Sequence, residues 1–271
     1  MNQEQLIEAI AKRADMRNTH RDATGELVCN TCGEPRTAFI NWDTGYMPVP
    51  CACMLKASRD AAHKAETDEA ERLRRESPLN LRGLDGCTFA ADDSPDGEAS
   101  RLCRDYVARW AEMEKNGLGF ILSGSLGTGK SYLAACVVNA LTAQGITAIM
   151  TSSARFVACV QAAKAPAEVH DALNRFRLVV LDDVGAERST DYAAEQIESF
   201  VDARMLLKRP LIVTTNIGGK DLAEASGAKY ARTFDRLKLA CPKLVTMNGK
   251  SRRGEQRAER AALMERILRG E

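Results

Sequence analysis

The sequence predicts an α/β domain built on a central parallel sheet, preceded by a small cysteine-bearing module. Three observations predict it. From about Leu102 onward, short apolar runs alternate with helical patterns, the arrangement that builds a parallel sheet covered on both faces. One of those runs opens into a glycine-rich loop that leads directly into a helix. Four of the nine cysteines stand close together near the N-terminus, at spacings that suit a metal. A chain of 271 residues accommodates one sizeable domain plus an appendage, here divided as residues 1–77 and 78–271.

Composition narrows the class. With 28% charged and 45% hydrophobic residues, the chain is neither disordered throughout nor fibrous. Apolar runs such as Leu178–Leu181 and Leu211–Val213 fall far short of the roughly 20 residues that a membrane-spanning helix needs. The opening MNQEQLIEAIAKR lacks the apolar stretch of a secretory signal, so a cytoplasmic protein with no membrane partner is expected, and its cysteines should remain thiols. A formal net charge of +1 leaves nucleic-acid binding to local basic patches.

The elements follow in order. Leu6, Ile7, Ile10, Ala11 and Ala14 repeat at helical spacing in a short amphipathic segment. Between Cys29 and Cys53, glycine, proline, asparagine and aspartate surround Phe39, Trp42 and Tyr46, which reads as a loop-and-hairpin module. The next stretch, to Ser77, is rich in Ala, Glu, Lys and Arg and is expected as an exposed linker helix. A turn-rich segment to Gly97 leads into the alternating region: strand GFILSG, helix SYLAACVVNALTAQG, strand ITAIMT, two helices, strand LVVLDD, a helix through Ile197 and Phe200, strand LIVTTN, and further helix.

Residues 124–131 read GSLGTGKS and fit the phosphate-loop pattern G-x-x-x-x-G-K-[ST] between a strand and a helix. Gly124, Gly127 and Gly129 allow the backbone, including Ser125 and Thr128, to curl its N–H groups around a phosphate. Lys130 would neutralise β- and γ-oxygens, and the Ser131 hydroxyl would ligate Mg²⁺. The strand LVVLDD would deliver Asp182 to the same Mg²⁺ and Asp183 to the attacking water as general base. Asn216, closing LIVTTN, could sense the γ-phosphate. An Asp pair or a Thr-Asn after a strand also suits turn and capping chemistry.

Cys29-x2-Cys32 and Cys51-x-Cys53 supply four thiolates on two short knuckles, suited to a closed tetrahedral Zn²⁺ site of structural type. His20 or His63 are substitute ligands, and four free thiols are the alternative. Cys87, Cys103, Cys136, Cys159 and Cys241 have no paired spacing and read as apolar fillers.

Together GSLGTGKS, LVVLDDVGAE, LIVTTN and YARTFDRL resemble the AAA+ ATPases of the DnaC/DnaI helicase-loader group, which includes the IstB-type transposition helpers. DDVGAE looks like the DnaI-type and phage branch. The resemblance implies an ATP-dependent loader that places a replicative hexameric DNA helicase on single-stranded DNA, hydrolysing ATP with Mg²⁺ and assembling into an open-ring or spiral oligomer. It assigns Arg236 as an arginine finger acting on a neighbouring subunit and Arg232 as a second interface or nucleotide contact. By spacing alone, that pair suits a solvated helix face. The resemblance also sets Ser152, Ser153, Arg155 and Phe156 near DNA, although Phe156 stands in core-like surroundings. The tail's arginines, interspersed with glutamates, read as a solvated helix. A transposition helper, a P-loop kinase of small molecules and a nucleotide-gated adaptor are the competing readings.

Overall fold

The computed structural model describes residues 18–41, 45–185, 191–218, 231–249, 251 and 253–269. Two compact units divide between residues 65 and 66. The amphipathic segment near residue 10, Trp42, Glu187 and Arg252 lie outside the described residues.

The first unit contains two hairpins. Strands β1 (Thr19–Arg21) and β2 (Leu27–Cys29) pair antiparallel, as do β3 (Thr37–Asn41) and β4 (Gly45–Pro48). Asp22 shapes the first turn: its Oδ1 accepts from Thr24 N at 2.9 Å, Thr24 Oγ1 at 2.7 Å and Glu26 N at 3.0 Å. This is the local competition with regular structure that makes aspartate a turn residue.

Helix α1 (Ala52–Glu76) begins in the first unit and ends in the second. The expectation of an exposed linker holds for most of it, but its last turns are part of the second unit. Ala70 is fully buried, Leu73 packs against the core, and Arg74 donates to Asn139 Oδ1 at 2.6 Å and Asp85 Oδ1 at 2.9 Å. This packing accounts for a division inside the helix, ahead of the boundary expected after residue 77.

The second unit is a five-stranded parallel sheet in the order β6–β7–β8–β5–β9, comprising β5 (Phe120–Gly124), β6 (Ala148–Ser152), β7 (Leu178–Asp182), β8 (Leu211–Thr215) and β9 (Lys243–Met247). The helices are α2 (Glu98–Ala108), α3 (Trp110–Asn116), α4 (Lys130–Thr142), α5 (Ser153–Ala162), α6 (Pro166–Asn174), α7 (Asp191–Leu206), α8 (Ala231–Ala240) and α9 (Arg253–Arg269).

Side chains alternate across a strand, so the apolar runs divide between two cores. Ile121, Ile149, Val179, Leu181 and Val213 face Phe156, Ile197 and Phe200; Phe120, Leu122, Met150, Val180 and Ile212 face Leu133, Val137, Tyr106 and Trp110. Burial on both faces is why these strands read as unbroken apolar runs. β9 is an edge strand with only Val245 buried, which is why the sequence pattern absorbs it into helix.

At the opposite end of the sheet from the strand C-termini, Arg204 is fully buried. Its guanidinium donates to Phe176 O at 2.7 Å, Arg177 O at 2.9 Å and Pro210 O at 2.5 Å, tying together the segments that enter β7 and β8. Burial pushes this group down to about 9, so it remains charged at neutral pH.

Candidate nucleotide and metal sites

The order of the sheet creates the first site. After β5 the chain crosses to β6 at the far edge, while β5 itself lies between β8 and β9. Such a reversal opens a crevice at the C-terminal ends of parallel strands, and the glycine-rich loop fills it. Gly124, Gly127 and Gly129 have φ of +141°, +82° and +96°, in the region that disfavours side chains. Space is also short: a Cβ on Gly124 would lie 2.3 Å from Met247 O. Thr128 Oγ1 donates to Ser125 O at 3.0 Å and fixes the loop's curl. Helix α4 starts at Lys130, so its free N–H groups face the loop.

Lys130 is 5% exposed. Its Nζ donates to Gly124 O, Ser125 O and Asn216 Oδ1, each at 2.8 Å. Asn216 Nδ2 donates in turn to Asp183 Oδ1 at 3.1 Å. β8 lies between β5 and β7, so its last residues bridge the phosphate loop and the aspartates.

Asp182 is buried, and its Oδ1 accepts from Ser131 Oγ at 2.8 Å and Thr214 Oγ1 at 2.6 Å. Burial raises its carboxyl above the ordinary aspartate range, against the two hydroxyl hydrogen bonds that lower it. Asp183 adopts φ +56°, uncommon outside glycine. Two hydrogen bonds hold it there: its N–H donates to Thr214 Oγ1 at 2.9 Å, and its carbonyl accepts from Ser153 Oγ at 3.0 Å.

The structure therefore brings Lys130, Ser131, Asp182, Asp183 and Asn216 into one hydrogen-bonded constellation on the loop of Gly124, Ser125, Gly127, Thr128 and Gly129. Ser131 and Asp182 present adjacent hard oxygen donors, the chemistry that Mg²⁺ selects. A cleft of about 390 Å³ beside the loop is lined by Ser94, Gly97, Glu98, Thr128 and residues 246–249. Sequence reasoning missed Thr214 and placed Ser153 near DNA without its bond to Asp183. Two threonines ending an otherwise apolar buried strand were the available signal for Thr214.

Arg232 and Arg236 do not join this constellation. Both are exposed on α8, and Arg236 Nε faces Asp202 Oδ1 on α7 at 3.5 Å. Phe156 is fully buried against His170 and Phe200, so it is a core residue and has no face to offer a base. Ser153 is likewise buried; Arg155 is exposed.

The second candidate site lies in the first unit. The Sγ atoms of Cys29, Cys32, Cys51 and Cys53 all lie within 4.8 Å of one another. Cys29–Cys53 at 3.5 Å and Cys51–Cys53 at 3.1 Å are too long for disulfides, whose sulfurs lie about 2.05 Å apart. Tetrahedral zinc with Zn–S of about 2.3 Å puts its sulfurs roughly 3.8 Å apart, so the cluster fits that ion. The backbone N–H groups of Cys32 and Thr31 pull the Cys29 thiol down to about 6, favouring the thiolate a metal needs, whereas hydrogen bonds to Cys51 and Cys29 push Cys53 upward. His20 pairs with Asn30 Oδ1 at 2.6 Å. Neither His20 nor His63 belongs to the cluster, so both fall away as substitute ligands.

The model of the family described as IstB-like ATP binding protein matches residues 96–260, more than half of the chain. The chain belongs to this family. Among curated relatives of this IstB-like ATP binding protein, the replicative helicase loader DnaC of Escherichia coli K12 is 28% identical over 155 residues, covering 55% of this chain and 61% of that protein. The replicative helicase loader DnaI of Bacillus subtilis 168 is 27% identical over 187 residues, covering 62% of this chain and 58% of that protein. The chain thus spans about three fifths of the length of these relatives.

Solved structures agree on the fold. A crystal structure of DnaI aligns with a TM-score of 0.54 at 23% identity, over 64% of this chain and 93% of that chain. A crystal structure of the DnaC helicase loader aligns with a TM-score of 0.53 at 17% identity, over 62% and 100%. The second unit accordingly has the fold of these structures, a phosphate loop on a central parallel sheet covered by helices. No helix among the described residues is long and apolar enough to cross a membrane.

Proposed function

We propose that the chain is a DNA-replication helicase loader. It hydrolyses ATP with Mg²⁺ at subunit interfaces of an open-ring or spiral oligomer and delivers a hexameric replicative helicase onto single-stranded DNA. The observation that carries the reading is the Lys130–Asn216–Asp183 chain beside the Ser131–Asp182 pair, in a family member whose relatives include DnaC and DnaI.

Each residue then has a role. The phosphate-loop N–H groups and Lys130 neutralise the β- and γ-phosphates. Ser131 and Asp182 hold Mg²⁺, which supplies positive charge against the developing phosphate charge. Asp183 accepts the proton of the attacking water, so that the γ-phosphorus–oxygen bond to ADP breaks as the new one forms. Asn216, held between Lys130 and Asp183, reports whether the γ-phosphate is present. Arg236, exposed and away from its own phosphate loop, serves the next subunit's site, and Arg232 lies one turn earlier on the same helix. Cys29, Cys32, Cys51 and Cys53 hold a structural Zn²⁺ that folds the N-terminal arm against the helicase.

The test is co-purification from cells of the native host with the tagged full chain, followed by loading of the recovered helicase onto single-stranded DNA in the presence of Mg·ATP. A co-purifying hexameric helicase that requires the chain to reach the DNA supports the reading. Capture of a transposase without helicase would replace it with the transposition-helper reading.

A further inference from the structure

Helix α9 has one face that no part of the described chain covers. Leu263, Met264, Ile267 and Leu268 are 51%, 63%, 65% and 74% exposed. At 3.6 residues per turn, these four share one half of the helix with Arg257 and Arg260, while positions 255, 259 and 265, its three glutamates, fall on the other. An apolar face whose helical positions include arginines but no glutamate is costly to leave in water.

A surface of complementary character runs along α7. A groove there is lined by Glu195, Glu198, Asp202, Leu206 and Arg232, among others. Its residues recur at intervals of three and four, so they form one stripe. Leu206 is 86% exposed, and Glu195 and Glu198 make no ion pair among the described residues. The groove therefore offers carboxylates to Arg257 and Arg260 and an apolar end to the leucines.

The positions of the two surfaces suit the across-interface reading of Arg236. A Cβ on Gly127 would meet Ser251 Oγ at 2.1 Å, so α9 starts two residues after the chain leaves the edge of the phosphate loop. The groove is bordered by Arg232, and its Asp202 holds Arg236 at 3.5 Å. A neighbour that brings its Arg236 toward the phosphate loop therefore brings its α7 groove toward α9.

We propose that α9 of one copy docks in the acidic α7 groove of the next copy, and that its arginines draw Asp202 away from Arg236. The docking stands on the two surfaces alone; its consequence for Arg236 rests on the across-interface reading above. Freed from Asp202, Arg236 can extend toward the adjoining ATP site, so assembly and catalytic competence become one event.

The experiment compares full-length chains by sedimentation velocity with Mg·ATP. One double variant reverses the helix charges (Arg257→Glu with Arg260→Glu), and another reverses the groove (Glu195→Arg with Glu198→Arg). Arg257, Arg260 and Glu195 are exposed and Glu198 is half-buried, and circular dichroism checks folding; milder Arg260→Gln and Glu198→Gln variants give a graded effect should a reversal fail to fold. Each double variant alone should associate at least about tenfold more weakly than the parent, and an equimolar mixture of the two should recover association. A parent that stays monomeric, variants that assemble like it, or a mixture that recovers nothing would overturn the docking. ATPase of Arg236→Ala separates the two readings: charge-dependent assembly with undiminished hydrolysis would leave the docking intact and remove the arginine's role.

Discussion

Lys130 Nζ and Asn216 Oδ1 are joined by a 2.8 Å hydrogen bond across 86 residues of sequence. Because Asn216 also donates to Asp183, one amide side chain couples the cation that would meet phosphate to the carboxylate that would meet water. A γ-phosphate arriving at Lys130 competes for that bond and loosens Asn216 from one of its two partners. Asn216→Ala should therefore leave ATP binding within a few-fold of the parent while lowering hydrolysis more than tenfold, measured by nucleotide titration beside steady-state turnover.

Lys130→Ala and Asp183→Asn should fail differently. The first removes the charge that faces the phosphates and should weaken ATP binding severely. The second preserves shape and should bind ATP while hydrolysis stops. Parental turnover in Asp183→Asn would transfer the base role to Glu187.

Thr214 is the residue the sequence pattern undervalued. Its hydroxyl donates to Asp182 and accepts from the Asp183 N–H. Thr214→Val keeps the shape but leaves a buried carboxylate and a strained backbone N–H short of a partner, at a cost of about 1–3 kcal/mol. Thermal unfolding should show the loss, and turnover should fall because both aspartates are set from this one oxygen.

Zinc removal should act on the N-terminal unit alone. Zinc binding contributes about 10–16 kcal/mol in comparable small modules, and segments below roughly 40 residues usually need such a staple to fold. One zinc per chain is expected by metal analysis. Chelation or Cys51→Ser should unfold residues 18–53 by hydrogen exchange while ATP binding persists. A chain purified without zinc, or unchanged exchange after chelation, would contradict the assignment.

Much of the site was legible because its chemistry depends on short contiguous strings. GSLGTGKS and LVVLDD each end an apolar run, and a doubly buried strand ending in polar residues can only direct them into a crevice. What the strings concealed was lateral: that β8 lies between β5 and β7, making Thr214 and Asn216 central, depends on strand order, which no local pattern encodes. The edge strand β9 hid because one buried residue, Val245, makes no periodic signal. Interspersed glutamates likewise made α9 read as uniformly solvated, whereas helical geometry places Arg257 and Arg260 with the large apolar residues on one face and the glutamates, with Arg266 and Arg269, on the other.

On the proposed mechanism, ATP turnover needs a phosphate loop from one chain and Arg236 from another. ATPase activity of mixed variants is the decisive measurement. Arg236→Ala and Lys130→Ala should each be inactive alone, an arginine in this role contributing about 10³–10⁵ in rate. Their equimolar mixture places some intact phosphate loops beside intact arginines, and partial activity should return. A mixture that co-assembles yet stays inactive, or an Arg236→Ala chain that turns over ATP at the parental rate, would contradict the claim.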